Sequence, residues 1–232
     1  MTEDFSYVRR NLEAVLAELD AIAARTGIPA PTLIPVTKSA SDGEVLALAA
    51  CGITAIAENR VPNYRARRDL LTANKMQLDL HLIGSLQTNK VKYIAEDVAL
   101  IQSLDSLRLA EEIAKRGEQV GRRIPVLIEI NIGREENKGG ILPEELDAFY
   151  ESVAPLSLSV VGLMTMAPAL ATEEEYRPYF RAVKEMFDAM RKAGKFDTDS
   201  PILSMGMSDS YRVAAEEGAT AVRIGRRLFM KD

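Results

Sequence analysis

The sequence has few of the residues that crosslink or bind metal in small proteins. Its 232 residues include one cysteine, Cys51, and one histidine, His81. A single cysteine excludes an intramolecular disulfide and favours a reducing compartment. A single histidine excludes a His-rich metal site. A Cys51–His81 catalytic pair is not favoured either, because Cys51 reads as a small buried residue near a helix end and His81 as a core or supporting group.

Positive charge and long apolar runs are also scarce. Lys and Arg number 29 against 34 Asp and Glu, so the net charge is -5 and no general basic surface for nucleic acid exists. No apolar run approaches the roughly 18 residues of a membrane span. The acidic start, Met1–Phe5, does not resemble a signal peptide. We therefore expect a soluble, cytoplasmic protein that binds neither nucleic acid nor membrane.

Short apolar runs alternate with longer amphipathic segments along the whole chain. Several of the runs are almost continuously apolar, which is typical of strands buried on both faces. Eight strands are predicted, at Leu33–Thr37, Ile53–Ala57, Leu80–Ile83, Ala99–Ser103, Pro125–Ile130, Leu158–Thr165, Ile202–Met205 and Ala221–Ile224.

Helix signals lie between the predicted strands. Ser41 and Glu44 form a capping-box pattern before an apolar stretch, and Thr172 and Glu175 form another that predicts a helix to about residue 193. Asp105 can cap a further helix, and Pro143 suits the first turn of another. Apolar residues also recur at helical spacing before the first strand, from Val8 to Ala23.

Eight strand–helix alternations predict a single α/β domain over residues 1–232, a (β/α)8 TIM barrel. The competing architecture is an open, doubly wound sheet. The segment after the last strand, residues 225–232, is too short for a full covering helix. We expect the extra N-terminal helix to complete the outer ring instead.

Lys38 is the most informative residue, because it ends the first predicted strand just before a turn. In a barrel or open α/β sheet the carboxyl ends of the strands face the ligand. A partly desolvated amine there can attack an aldehyde and form a Schiff base. The alternative is a solvated lysine that merely ends the strand.

The segments after the last two predicted strands are typical of a phosphate site. Gly206 and Gly225 allow close backbone approach, and Ser208 is expected to open a helix over residues 209–217 whose first amides favour an anion. Arg226 adds a charge nearby. The glycines and Ser208 are equally consistent with ordinary turns and a helix cap.

Arg223 is unusual because it lies inside the apolar run Ala221–Ile224. A charge in such a strand must be paired or functional. If it points into the barrel it can meet a polar ligand atom. The alternative is a structural salt bridge, with Glu129 or Glu58 as its partner.

Several ordered motifs together resemble the pyridoxal 5′-phosphate (PLP) homeostasis protein family. The resemblance runs in order from about residue 33 to 229, and the motifs His81–Lys90 and Ser204–Ser208 are highly specific together. The motifs are Val36–Lys38, Ala57–Asn59, His81–Lys90, Asn137–Gly140, Gly162–Met166, Ser204–Ser208 and Val222–Gly225.

The resemblance implies a single barrel similar to the N-terminal domain of alanine racemase. It implies that PLP is held on Lys38, with Arg223 facing the pyridine nitrogen and Asn59 beside the ring. For the phosphate it implies four residues of the last two loops, Ser204, Ser208, Gly225 and Arg226. The chain departs from the family at Arg226, where a small hydroxyl residue is common.

We expect a protein that buffers or delivers PLP within the cell without substantial turnover. The partners would be PLP itself and PLP-dependent apo-enzymes, and the protein would be a monomer or a weak dimer. The alternative is a PLP-dependent amino-acid racemase that uses Lys38. The basic residues Arg65, Arg67, Arg68, Lys90 and Lys92 are expected to lie on solvated helix faces.

Overall fold

A computed structural model of the protein describes residues 4–231. The predicted domain bounds at residues 1 and 232, and the first three residues of the acidic start, lie outside the described residues. Eight strands are found where eight were predicted, with small shifts at their ends. They are β1 (Thr32–Pro35), β2 (Ala55–Glu58), β3 (Asp79–Leu82), β4 (Leu100–Leu104), β5 (Ile124–Ile130), β6 (Leu158–Thr165), β7 (Ile202–Ser204) and β8 (Ala221–Ile224).

The strands form one parallel sheet that closes on itself. Its order is β1-β8-β7-β6-β5-β4-β3-β2, and a parallel bridge between Val36 and Ala57 joins β1 to β2. The Thr37 amide donates to the Ala57 carbonyl oxygen at 3.0 Å across this junction. The (β/α)8 barrel is thereby confirmed, and the open sheet was the wrong alternative.

Seven α-helices surround the barrel in the described part of the chain. They are α1 (Ser6–Thr26), α2 (Asp42–Ala49), α3 (Val61–Ala73), α4 (Leu107–Gln119), α5 (Leu146–Val153), α6 (Arg177–Lys192) and α7 (Tyr211–Glu216). A 3₁₀ helix, Thr88–Tyr93, follows β3, and shorter 3₁₀ turns lie at Pro143–Glu145, Glu174–Tyr176 and Arg226–Leu228.

The N-terminal helix completes the outer ring, as its apolar spacing predicted. Its buried face includes Val8, Val15 and Leu19. Asn11 donates to the carbonyl oxygens of Leu228 (3.2 Å) and Met230 (2.9 Å), so α1 is hydrogen-bonded to the segment after β8.

The predicted helix caps are partly confirmed. Ser41 and Glu44 form the expected capping box at the start of α2. The Thr172 amide and hydroxyl instead donate to Glu175, and a 3₁₀ turn precedes α6. Asp105 does not cap α4, whose N-cap position is Ser106.

Strand alternation separates two apolar layers. Ile34, Val36, Ala57 and Ala221 belong to a small cluster on one face of the strands. Neighbours such as Leu33 and Ile56 belong to the large cluster shared with the helices. Because side chains alternate across a strand, the small cluster faces the barrel interior.

Candidate functional site

Lys38 and Arg223 come from two neighbouring strands at the carboxyl-terminal mouth of the barrel. Strands β1 and β8 pair in parallel, with Ile34 opposite Arg223, and Lys38 lies three residues after the end of β1. Lys38 is exposed, and it makes no ion pair with any carboxylate in residues 4–231. The structure therefore presents a free amine at this mouth.

The turn that carries Lys38 is held by a buried polar cluster. The Thr37 hydroxyl donates to Glu58 Oε1 at 2.6 Å. Arg67 of α3 donates through Nε to the same carboxylate oxygen at 3.3 Å and through Nη2 to the carbonyl oxygens of Thr37 (3.3 Å) and Ala40. We call Thr37, Glu58 and Arg67 the turn clamp.

The prediction that Arg67 lies on a solvated face was wrong. Its side chain is only 11% exposed, because it crosses from α3 to the turn after β1. A third contact, Nη1 to Asp42 Oδ1 at 2.5 Å, extends the clamp to the start of α2. A signal existed in the sequence, since Glu58 is a charge at the end of an apolar strand and requires a cationic neighbour.

Arg223 lies inside the barrel and is 3% exposed. Its Nη1 donates to Ser204 Oγ at 2.7 Å and its Nη2 to the Thr165 carbonyl oxygen at 2.9 Å. Within the described residues it makes no salt bridge, so the predicted structural pair with Glu129 or Glu58 is not found. Burial lowers the pKa of Arg223 to about 10, against an opposing attraction from Glu129.

Ser204 lies beneath Arg223 rather than at the rim. It is fully buried, accepts from Arg223, and donates its single hydroxyl proton to Gln102 Oε1 at 2.7 Å. A hydroxyl engaged in this way is not free to donate to a phosphate. This differs from the phosphate contact that the family resemblance implied for Ser204.

The loops after β7 and β8 come together as predicted, but the helix between them starts later. Helix α7 begins at Tyr211 rather than residue 209, and Ser210 Oγ, not Ser208, accepts from the Met207 amide at 3.1 Å. Ser208 is left half-buried in the turn before the helix.

Gly206 and an ion pair shape these two loops. Gly206 has φ 91°, and a Cβ there would lie 2.5 Å from the Cβ of Ala214, so only glycine fits. Arg226 Nη2 pairs with Asp209 across the two loops, and both side chains are exposed. Arg226 also begins a 3₁₀ turn, whose first amides lack partners within the turn.

Asn59 is fixed through its backbone at the end of β2. A Cβ on Gly84 would lie 2.2 Å from the Asn59 carbonyl oxygen, so the segment after β3 packs directly on Asn59. The Ser103 hydroxyl donates to the Gly84 carbonyl oxygen at 2.8 Å and holds that segment in place. Asn59 itself is half-buried.

Glu129 is a second buried acid near the mouth. Burial and the neighbouring Asp105 carboxylate raise the pKa of Glu129 to about 7, while Arg223 opposes the shift. Gly139 lies over both acids, since a Cβ there would be 3.4 Å from Glu129 Oε2 and 3.1 Å from Asp105 Oδ2. In the sequence, Glu129 stands out only as a possible ion-pair partner of Arg223.

The described residues contain no cluster of three His, Cys, Asp or Glu side chains suited to a metal ion. Among those same residues, no helix is both long and apolar enough to cross a membrane.

Comparison with known proteins identifies the family. The alanine racemase N-terminal domain model matches residues 11–232. The pyridoxal phosphate homeostasis protein of Aquifex aeolicus is 46% identical over 180 residues, covering 77% of each chain. The chain belongs to the pyridoxal phosphate homeostasis protein family. This confirms the resemblance inferred from the motifs.

Two solved structures in the comparison extend the match to the whole fold. A protein of unknown function from Bifidobacterium adolescentis is 30% identical with a TM-score of 0.90, covering 99% of this chain and 98% of that one. PipY of Synechococcus elongatus, solved with PLP bound, is 28% identical with a TM-score of 0.83, covering 96% and 100%.

The side chains and amides at the mouth have the chemistry needed to hold pyridoxal phosphate, the ligand in the PipY structure. A free amine suits an aldehyde, an immobilised guanidinium suits a ring nitrogen that accepts a hydrogen bond, and first-turn amides suit a phosphate. All three groups lie after or within β1, β7 and β8, which are consecutive in the sheet.

Proposed function

We propose that this protein binds PLP at the carboxyl-terminal mouth of its barrel and holds it for other proteins without substantial turnover. The observation that supports this most directly is the exposed Lys38 amine, which has no carboxylate partner among the described residues and follows the strand next to the one that carries the buried Arg223. The names of the curated relatives and the PLP-bound PipY structure support the same ligand.

In this proposal each residue of the mouth has a separate role. PLP supplies an aldehyde that can bond covalently to an amine, and Lys38 provides that amine. Arg223 donates toward the ring nitrogen, and Asn59 lies beside the ring. The amides around Ser208, Gly225 and Arg226 hold the phosphate, while Ser204 orients Arg223 instead of contacting the phosphate.

Arg223 is compatible with both a carrier and an alanine-racemase-like enzyme, and it disfavours chemistry that needs a protonated pyridine ring. Its guanidinium remains cationic at neutral pH, even with its pKa lowered to about 10. A cation beside the ring nitrogen disfavours protonation of that nitrogen. An unprotonated ring is a poorer electron sink for carbanion chemistry.

The alternative, a racemase, requires a second acid/base group on the face opposite Lys38. The tyrosines near the barrel do not provide one. Tyr64 donates to Asp97 at 3.1 Å and Tyr211 donates to Glu18 of α1, and burial raises the pKa of both phenols. Tyr93 is exposed on the 3₁₀ helix after β3.

Two measurements test the proposal. Adding PLP to the purified protein should produce visible absorbance that Lys38→Ala lacks. Chiral chromatography of L-alanine and L-serine incubated with the PLP-loaded protein should detect negligible racemisation. A Lys38-dependent kcat of about 1 s⁻¹ or more would make the protein an enzyme.

The partners and the compartment are part of the proposal. PLP-dependent apo-enzymes are the proposed recipients, and the cytoplasm is the proposed location because the sequence uses a single cysteine. A monomer or weak dimer remains the proposed state. Sedimentation of the purified protein and transfer of PLP to an apo-enzyme would test these points.

A further inference from the structure

A chain of hydrogen bonds crosses the interior of the barrel below the mouth. Arg223 Nη1 contacts Ser204 Oγ at 2.7 Å, Ser204 Oγ contacts Gln102 Oε1 at 2.7 Å, and Gln102 Nε2 contacts His81 Nδ1 at 3.1 Å. The four side chains come from β8, β7, β4 and β3. The chain therefore connects two opposite walls of the barrel.

The chemistry of Arg223 gives this chain a direction. A guanidinium can only donate, so Ser204 Oγ accepts from it; the Ser204 hydroxyl in turn faces Gln102 Oε1, which can only accept, and therefore donates to it. The amide nitrogen of Gln102 then faces His81, and an amide nitrogen also only donates. His81 Nδ1 must therefore be the unprotonated nitrogen, and the ring proton lies on Nε2.

Burial keeps His81 in the form that this direction requires. Ser204 and Gln102 are fully buried, so water does not replace the contacts between them. Burial also lowers the pKa of His81 to about 4, with Asp79 acting in the opposite sense. The imidazole is thus neutral and able to accept at physiological pH. His81 and Gln102 also line a cavity of about 180 Å³.

We propose that Gln102 and His81 are positioning residues that fix the orientation of Arg223 through Ser204. None of the contacts depends on a bound ligand, so Arg223 is oriented before PLP arrives. The inference rests on the proposed function only in assigning Arg223 to the ring nitrogen. It adds two residues, both distant in sequence from Arg223, to the set that determines how the pyridine ring is held.

The first test uses ligand-free protein. His81 is the chain's one histidine, so its imidazole nitrogen signals in ¹⁵N NMR are unambiguous. We expect the Nε2–H tautomer near pH 7 in the wild type, and a tautomer mixture in Gln102→Leu, where the donor to Nδ1 is removed. An Nδ1–H tautomer, or a wild-type mixture that Gln102→Leu leaves unchanged, would overturn the proposed direction.

The second test uses a matched pair of variants at His81. His81→Asn retains an acceptor close to the position of Nδ1, whereas His81→Leu removes it. We expect His81→Leu to weaken PLP affinity by about tenfold, the cost of one lost hydrogen bond, and to shift the absorbance maximum of the bound cofactor. His81→Asn should stay within about twofold of the wild type.

Thermal unfolding of both variants shows whether each is folded under the binding conditions. Equal losses of affinity in folded Asn and Leu variants, or no loss in either, would overturn the positioning role. If wild-type protein does not bind PLP, the proposed function fails, and the NMR measurement alone decides whether the chain has the stated direction. The two failures are therefore distinguishable.

Discussion

The two neighbouring strands β1 and β8 present cations at one mouth in opposite ways. Lys38 is exposed and has no ion pair in the described part of the chain, and what is held tightly is its turn, through Thr37, Glu58 and Arg67. Arg223 is itself buried and hydrogen-bonded to Ser204 and Thr165. The difference separates a group that must react from a group that must stay in place.

The division follows from the chemistry of the two side chains. An amine must lose a proton and move to a carbonyl carbon, so an ion pair or a rigid hydrogen bond would hinder it. A guanidinium is a planar set of donors whose value lies in its orientation. The fold therefore fixes the backbone around Lys38 and the side-chain plane of Arg223.

The largest expected effect is the loss of covalent PLP binding when Lys38 is replaced. Reduction with borohydride in the presence of PLP, followed by peptide mapping, should place the pyridoxyl group on Lys38. Lys38→Ala should abolish the label, because no other lysine within residues 4–231 lies at the carboxyl end of a barrel strand. Lys90→Arg and Lys138→Arg are controls that should keep it. Labelling mainly at Lys90 or Lys138 would show that Lys38 is not the residue that bonds covalently to PLP.

The next prediction tests whether the loops after β7 and β8 hold the phosphate. Pyridoxal lacks the phosphate, so it loses several charge-assisted hydrogen bonds of about 1.5–3 kcal/mol each and should bind at least about 100-fold more weakly than PLP. Calorimetric titration of both compounds measures the ratio. Similar affinities would show that these loops do not hold the phosphate.

The turn clamp can be broken at Arg67. Glu58 is fully buried, and its Oε2 has no hydrogen-bond partner within residues 4–231. Arg67→Ala removes the cation that is paired with this carboxylate. We expect the free energy of unfolding to fall by about 3 kcal/mol in urea denaturation. PLP should also bind more weakly, because the turn bearing Lys38 loses its contacts.

A variant on the same helix provides the control for Arg67. Arg65→Ala removes an equal charge from the exposed side of α3, where the guanidinium lies 5.5 Å from the Tyr93 ring, and should change stability by less than about 0.5 kcal/mol. The double variant with Glu58→Gln should recover part of the loss. Equal effects of Arg65→Ala and Arg67→Ala would contradict the clamp.

The smallest effect concerns the acid next to Arg223. With its pKa raised to about 7, Glu129 keeps its proton in the folded state over a range where the unfolded chain has released it. Its contribution to stability is complete below about pH 4.5 and is lost as the pH rises through 7. Glu129→Gln should therefore gain about 3 kcal/mol relative to the wild type between pH 4.5 and pH 8.

Urea denaturation of the two proteins across this pH range measures the difference. His81, whose pKa is lowered to about 4, gives a slope of opposite sign between about pH 4 and 6.5. That contribution is present in both proteins and cancels in the comparison. If the free energy of unfolding had the same pH dependence in the wild type and the variant, burial and Asp105 would not raise the pKa of Glu129.

The barrel could be predicted from the sequence because its signals are local and repeated. Each apolar run, such as Leu33–Thr37, is long enough to identify a strand, and eight of them in alternation with helices leave few architectures. Lys38 and Arg223 were also identifiable, since each is a charge at the end of or within an apolar run.

The contacts between distant residues could not be predicted in the same way. Arg67 has the spacing of an exposed helical residue; Glu58 indicates that some cation lies near it, but only the packing of α3 against the turn after β1 identifies that cation as Arg67. Ser204, Gln102 and His81 lie on separate strands, and nothing in their local sequences indicates that their side chains meet. Helix α7 begins at Tyr211 with no side-chain cap, so neither Ser208 nor Ser210 marks its start in the sequence.

The junction between β1 and β2 has a consequence for local opening. A closed barrel has no edge strand, yet within residues 4–231 these two strands are joined by the single bridge between Val36 and Ala57, whereas β5 and β6 pair over seven positions. Hydrogen exchange should therefore be faster at the Thr37 amide than in the β5–β6 ladder. This weakly paired seam lies one residue from Lys38, so a local opening there would move the turn that carries the amine while the β5–β6 wall remains paired.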